Sequence, residues 1–150
     1  MEQELINYCK EFKIDYSILN SDCKNSIIQK IEVLYIRKNA KYGFSLFDMI
    51  KFEEMIGVNS FDSWSWVHDF IKKKSIIVFF DYKIGEYVEL SCGDVFVQFY
   101  DGCPKDEFYI TDCNGSFLLG YNHSHCLFAM GIAADWLEKS EKYKNFYKCI

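Results

Sequence analysis

Apolar positions recur at helical spacing along the first half of this chain and at strand spacing along the second. In residues 2–13, Leu5, Ile6, Cys9 and Phe12 fall three and four apart, which predicts a first helix with one apolar face. Ile27, Ile31, Leu34 and Tyr35 repeat the stripe and predict a second helix capped by Asp22 or Ser21, although the β-branched run KIEVLYI also permits a strand there. SLFDMIKFEEMIG predicts a third, with Ser45 as N-cap and Gly57 just past its end. SFDSWSWVHDFIKKK predicts a fourth, with Trp64, Val67, His68 and Ile71 on one face and three lysines that complement the negative end of the helix dipole.

After residue 75 the period changes. SIIVFFDY is a short β-rich run between polar residues and predicts a buried strand. SCGDVFVQFY suits either state: Val95, Val97 and Phe99 alternate as in a strand. The capping-box spacing Ser91-x-x-Asp94 and the shared face of Val95, Phe96 and Phe99 favour a short helix. DEFYIT, SFLLGYN and HCLFAM predict three strands, the first two joined at Asn114-Gly115, residue types that tolerate positive φ. GIAADWLEKSEKY predicts a closing helix that turns Ile132, Ala133, Trp136 and Leu137 inward. The expected fold is α+β: N-terminal helices followed by a mainly antiparallel sheet and a closing C-terminal helix. With helices on one sheet face, alternation along DEFYIT sends Phe108 and Ile110 inward and leaves Glu107, Tyr109 and Thr111 on the outer face. With no repeat, no linker composition and Pro104 as the only proline, residues 1–150 read as a single globular domain.

Composition sharpens this picture. Half of the 150 residues are hydrophobic and 28 are aromatic, enough to bury a substantial core. No stretch approaches the roughly 20 apolar residues that span a bilayer. The start, MEQELINYCKEFKIDY, is acidic and amphipathic, unlike a signal peptide, so a cytoplasmic location with no membrane partner is expected. Seven cysteines, an odd number without a CxxC pair, fit free thiols in a reducing compartment. Residues 1–80 balance eleven cations with eleven acids, whereas residues 81–135 set nine acids against Lys83 and Lys105 alone. That imbalance disfavours nucleic acid, whose phosphates demand Lys and Arg, and suits a basic protein partner.

The candidate chemistry narrows in the same direction. Cys103, Cys113, His123, His125 and Cys126 are zinc-capable types, and His123 and His125 on a strand would point to one side. Their spacing lacks any local knuckle, so no metal and no cofactor are expected. Cys126 and His125 are adjacent and would face opposite sides of a strand. No GxSxG, HExxH or glycine-rich phosphate loop occurs, so the chain is not expected to be an enzyme. What remains is a recognition surface: acids for steering, tyrosines for rigid contact area. The candidate partner-binding residues are Asp101, Asp106, Glu107, Tyr109, Asp112, Tyr121 and His123.

Glu107, Phe108, Tyr109, Thr111, Leu118, Leu119, Asn122, His123, Gly131, Ala133, Trp136 and Leu137 spell the pattern EFY[IV]T…LLxxNH…GxAxxWL. In this the chain resembles a group of small bacterial proteins, over about residues 61–140. More loosely, the order of polar-aromatic strand, glycine turn, YNH strand and closing AxxWL helix is similar to the SUKH superfamily, which includes immunity proteins of polymorphic toxin systems. CPKDEFY stands where that superfamily has a glycine-rich approach to its central strand. The resemblance implies an immunity-type protein that neutralises a basic toxin domain such as a nuclease. The alternatives are an accessory binding module without a toxin, or a small Cys/His enzyme or metal protein.

Overall fold

The computed structural model describes residues 1–41 and 45–148. Along the chain these form α1 (Glu2–Glu11), β1 (Tyr16–Ile18), α2 (Ser21–Tyr35), β2 (Ile56–Asn59), α3 (His68–Ile71), β3 (Ile76–Phe79), β4 (Val88–Leu90), α4 (Phe96–Asp101), β5 (Phe108–Thr111), β6 (Phe117–Tyr121), β7 (Cys126–Gly131), α5 (Ile132–Lys139) and α6 (Glu141–Lys148). The fold is α+β, with helices at both ends of the chain around one antiparallel sheet of order β1-β4-β3-β5-β6-β7-β2. Among the described residues no helix is long and apolar enough to cross a membrane.

The sheet is covered on both faces. Val78, Phe108, Ile110, Leu119, Tyr121 and Leu127 point to one side, where α1, α3, α4 and α5 lay down Leu5, Cys9, Ile71, Phe96, Tyr100, Ala133 and Leu137. Ile77, Phe79, Tyr109, Leu118, Phe128 and Met130 point to the other, beneath Ile27, Ile31 and Tyr35 of α2 and Leu46 and Met49 of a short 3-10 turn. Every residue of β3, β5 and β6 is therefore buried, which explains their near-continuous apolar sequences.

Register ties one aromatic row together. Phe79 pairs with Tyr109, Tyr109 with Gly120 and Gly120 with Phe128, so three rings and a glycine cross the sheet side by side. A Cβ on Gly120 would lie 2.3 Å from the Phe128 ring and 2.9 Å from Tyr109. The glycine lets neighbouring rings lean over its bare backbone. Gly131 closes β7 at φ 67°, and a Cβ there would lie 2.4 Å from Ser116 O.

Several expectations need correction. The proposed third helix is two 3-10 turns, Leu46–Met49 and Phe52–Glu54, followed by β2, with Gly57 inside the strand. Ser45 does cap the first turn, accepting from Phe47 N at 3.2 Å. Ile50 leaves the helical path to bridge Ile36, and 56–59 pair with β7, so long-range hydrogen bonds override a local helical stripe. The fourth helix shrinks to a 3-10 turn, Ser63–Val67, and the single turn of α3. There Ser63 and Ser65 donate back to the Ser60 and Asp62 carbonyls, competing with a regular helix. The closing helix breaks at Ser140, whose Oγ donates to Leu137 O and accepts from Tyr143 N, ending α5 and starting α6. Phe12, Leu34 and Ile132, each expected on a packed apolar face, are exposed. Asn20, one place before Ser21, caps α2 by accepting from Cys23 N at 2.8 Å. Strands β1, β2 and β4 were not expected at all; each is only three or four residues long. SCGDVFVQFY is helical as favoured, a 3-10 turn leading into α4.

Candidate functional site

The largest consequence of two covered faces falls on Tyr109. Expected outward, it is 1% exposed. Its ring stacks on Phe79 at 5.3 Å, and Thr111 is likewise buried, donating to Phe117 O. Burial, reinforced by the hydrogen bond to Glu107, raises the Tyr109 phenol well above its ordinary pKa. Tyr121 is also fully buried, on the opposite sheet face, stacked on Phe108 and bonded through its hydroxyl to Phe61 O and His125 Nδ1. Neither ring is a surface anchor.

The acids also part company. Asp112 lies at the far end of β5 from Asp106, six residues or about 20 Å at strand rise. It builds the β5–β6 turn, accepting from Asn114 N at 3.1 Å, Ser116 N at 2.9 Å and the Ser116 hydroxyl. Only Gly115 of the Asn-Gly pair takes positive φ, 65°. Asp101 ends α4, which packs by Phe96 and Tyr100 against Phe108, on the face opposite Tyr109. Beside it Lys105 folds back, donating to the carbonyls of Tyr100, Asp101 and Cys103 and lying over the Trp64 ring.

Asp106, Glu107 and His123 do come together. Glu107 Oε2 accepts from the Tyr109 hydroxyl at 2.6 Å and from Ser45 Oγ at 3.1 Å, and Oε1 meets His123 Nδ1 at 3.0 Å. The carboxylate is therefore held from β5, the 45–49 turn and the 122–125 loop. His123 is 74% exposed while Glu107 is 20% exposed, so the pair marks the wall of a cleft rather than a buried centre. Those side chains border a cleft of about 590 Å³ that is also lined by Glu2 and Asp81. The register explains the meeting: Phe79 faces Tyr109, so Asp81 and Glu107 each lie two residues further along antiparallel neighbours. Residues 2, 45 and 81 were missed because they belong to other elements. Asp81 left a signal, an acid just beyond the buried strand β3, and Ser45 left one as an N-cap.

Four carboxylates thus line one open cleft, with no lysine or arginine among its described residues. Met1 also lines it, and its amino group is paired with Glu4 Oε2 at 2.9 Å. Such a lining gives the cleft a negative field that favours positively charged groups. Ser45 Oγ donates to Glu107 Oε2 and lies 3.0 Å from the Tyr109 hydroxyl, while the imidazole meets the other carboxylate oxygen.

The other chemistry-bearing types are dispersed. Among the described residues no three His, Cys, Asp or Glu side chains converge as metal ligands. His125 sits in a turn at φ 61° rather than on a strand. Cys9, Cys23, Cys92, Cys103, Cys113 and Cys126 are free thiols, and burial pushes the pKa of Cys9, Cys103 and Cys126 up, away from the reactive thiolate. Cys149 lies outside the described residues. No protein-family model, curated protein or solved structure matches this chain.

Proposed function

We propose that this chain is an immunity-type inhibitor that holds a cationic patch of a toxin domain in the cleft of Glu2, Asp81, Asp106 and Glu107. The observation that supports it best is the concentration of four carboxylates at one open cleft, three of them from a segment already short of lysine. A Lys or Arg side chain entering there meets Glu107 in a fixed orientation, since Tyr109, Ser45 and His123 hold it from three elements. Preorganised acceptors lower the ordering cost of binding, and the surrounding negative field speeds encounter. The partner surface in this proposal is carried by Asp106, Glu107 and His123, with Asp81 and Glu2 added. Tyr109 contributes from beneath, and Tyr121, Asp112 and Asp101 lie elsewhere.

The test looks for a toxin domain encoded beside the gene of this chain and pairs the two proteins. Co-expression is expected to restore growth of the host and to yield a one-to-one complex. The Asp81→Asn/Asp106→Asn protein should associate about tenfold more slowly at low salt, with the difference shrinking toward 0.5 M salt, where the screening length falls to about 4 Å. Absence of both protection and complex sinks the toxin assignment. A complex that the double variant forms as fast as the parent sinks the cleft.

A further inference from the structure

The chain carries a single arginine, Arg37, and the fold sets it at the mouth of a second pocket. Arg37 follows α2 and faces a neighbouring segment across the Ile36–Ile50 bridge. Arg37 N donates to Met49 O at 2.8 Å, and Lys51 N to Tyr35 O at 2.8 Å. This short ladder places Arg37 and Lys51 on one rim. The guanidinium is itself held: Nη2 donates to Asp48 O, and its plane lies 5.5 Å from the centre of the Phe52 ring. Lys38 and Lys83 complete the cationic side of a pocket of about 470 Å³. Val33, Ile36, Ala40 and Met49 supply its apolar part.

Charge makes this pocket the inverse of its neighbour. Among the described residues four cations line it against one carboxylate, Glu32. Glu32 is occupied, taking Lys83 Nζ at 2.9 Å and the Tyr82 hydroxyl at 3.1 Å. In a chain of net charge −5, this local excess of positive charge is a departure that an anion would relieve. Met49 and Tyr82 line both pockets, so the cationic one and the acidic cleft share a wall.

We propose that this pocket binds a small organic anion, a carboxylate or phosphate carried on an apolar body. Arg37 supplies the planar fork that suits either head group, and its contacts to Asp48 and Phe52 fix that fork in advance. Lys38 and Lys51 add charge at the rim. The apolar body lies against Val33, Ile36 and Met49; the pocket volume falls in the range used for small ligands, about 300–1,000 Å³. This site is independent of the acidic cleft's role.

The probes are phenyl phosphate, benzoate, inorganic phosphate and phenol, titrated into ¹⁵N-labelled protein and followed by amide shifts. Phenyl phosphate or benzoate should give saturable shifts confined to residues 33–40, 49–51 and 82–83, the tighter of the two naming the head group. Inorganic phosphate and phenol should each bind at least about tenfold more weakly, one lacking the apolar body and the other the charge. Arg37→Gln should weaken binding by about tenfold or more. Because Arg37 also braces Asp48, the exposed Lys38→Glu serves as a second variant and should weaken binding without altering the rest of the spectrum. The proposal is overturned if no saturable shifts appear by about 20 mM, a ceiling set by the weakest affinity such small ligands show. Shifts scattered over lysines elsewhere, indifference to Lys38→Glu, or equal binding of phenol or inorganic phosphate overturn it as well.

Discussion

Tyr109 shows how a single side chain can belong to core and site together. Its ring completes the row from Phe79 across Gly120 to Phe128, while its hydroxyl reaches Glu107 at the cleft wall. Gly120 makes this possible, since any Cβ would displace the Phe128 ring and press on Tyr109. Gly120→Ala is therefore expected to destabilise the protein by about 1–3 kcal/mol, the usual cost of overfilling a packed core. It should also disturb Glu107, because the Tyr109 ring must move. Urea unfolding supplies the first measurement and the amide shifts of Glu107 and His123 the second. A variant as stable as the parent, with unmoved shifts, would show that the row has slack. Among the candidate acids the same scale separates roles: Asp112 spends its carboxylate on the turn, whereas Asp106 and Asp81 are exposed beside the cleft.

At the scale of elements, the sheet is graded from centre to edge. Strands β3, β5 and β6 have partners on both sides and cover on both faces, while β1 is three residues long, half open to solvent and paired only with β4. Local opening free energy follows such differences in buried contact and pairing. Hydrogen exchange of native protein should find the amides of β5 and β6 opening only with global unfolding. The amides of β1 should exchange by local fraying, orders of magnitude faster. Equal protection of β1 and β5 would contradict this gradient. At the other edge, Tyr147 of α6 donates to Gly57 O at 3.0 Å, so β2 is partly shielded.

For the whole molecule, buried phenols link stability to alkaline pH. Burial, with smaller contributions from Asp112 and Glu54, pushes Tyr35 up to about 12, and burial likewise raises Tyr100 and Tyr109. A raised folded-state pKa means that the folded state keeps its proton longer. Below the unfolded value of about 10 both states are protonated and the stabilisation is fully present. Above it the unfolded chain loses protons that the folded chain retains, so stability falls as pH rises from about 10 through Tyr35's value near 12. Chemical unfolding at a series of pH values should show stability declining across that window. Tyr35→Phe should make the decline shallower, and an unchanged slope would remove Tyr35 as a contributor. The two pockets of opposite charge that share Met49 and Tyr82 also belong to this scale, because each draws its charged side chains from more than one segment of the chain.

What the sequence alone determined is local. The stripes of α1 and α2, the helix in SCGDVFVQFY and the antiparallel run β5–β6–β7 all follow from periodicity, capping and a glycine turn between neighbouring residues. Periodicity reports that one face of an element is apolar; whether the other face is also covered depends on segments far away. FYIT held a hint, four side chains all suited to burial, yet alternation alone assigned Tyr109 and Thr111 to solvent. Only tertiary structure decided that α2 and the 45–49 turn lie over them. It also decided the edge strands, which are too short to show a period and exist because β4 and β7 offer unpaired backbone. The cleft is tertiary in the same sense. Glu107 bonds to Ser45 through the covering layer and shares the cleft with Asp81 through strand register and with Glu2 through the start of α1, none of which is encoded in the spacing of neighbouring residues.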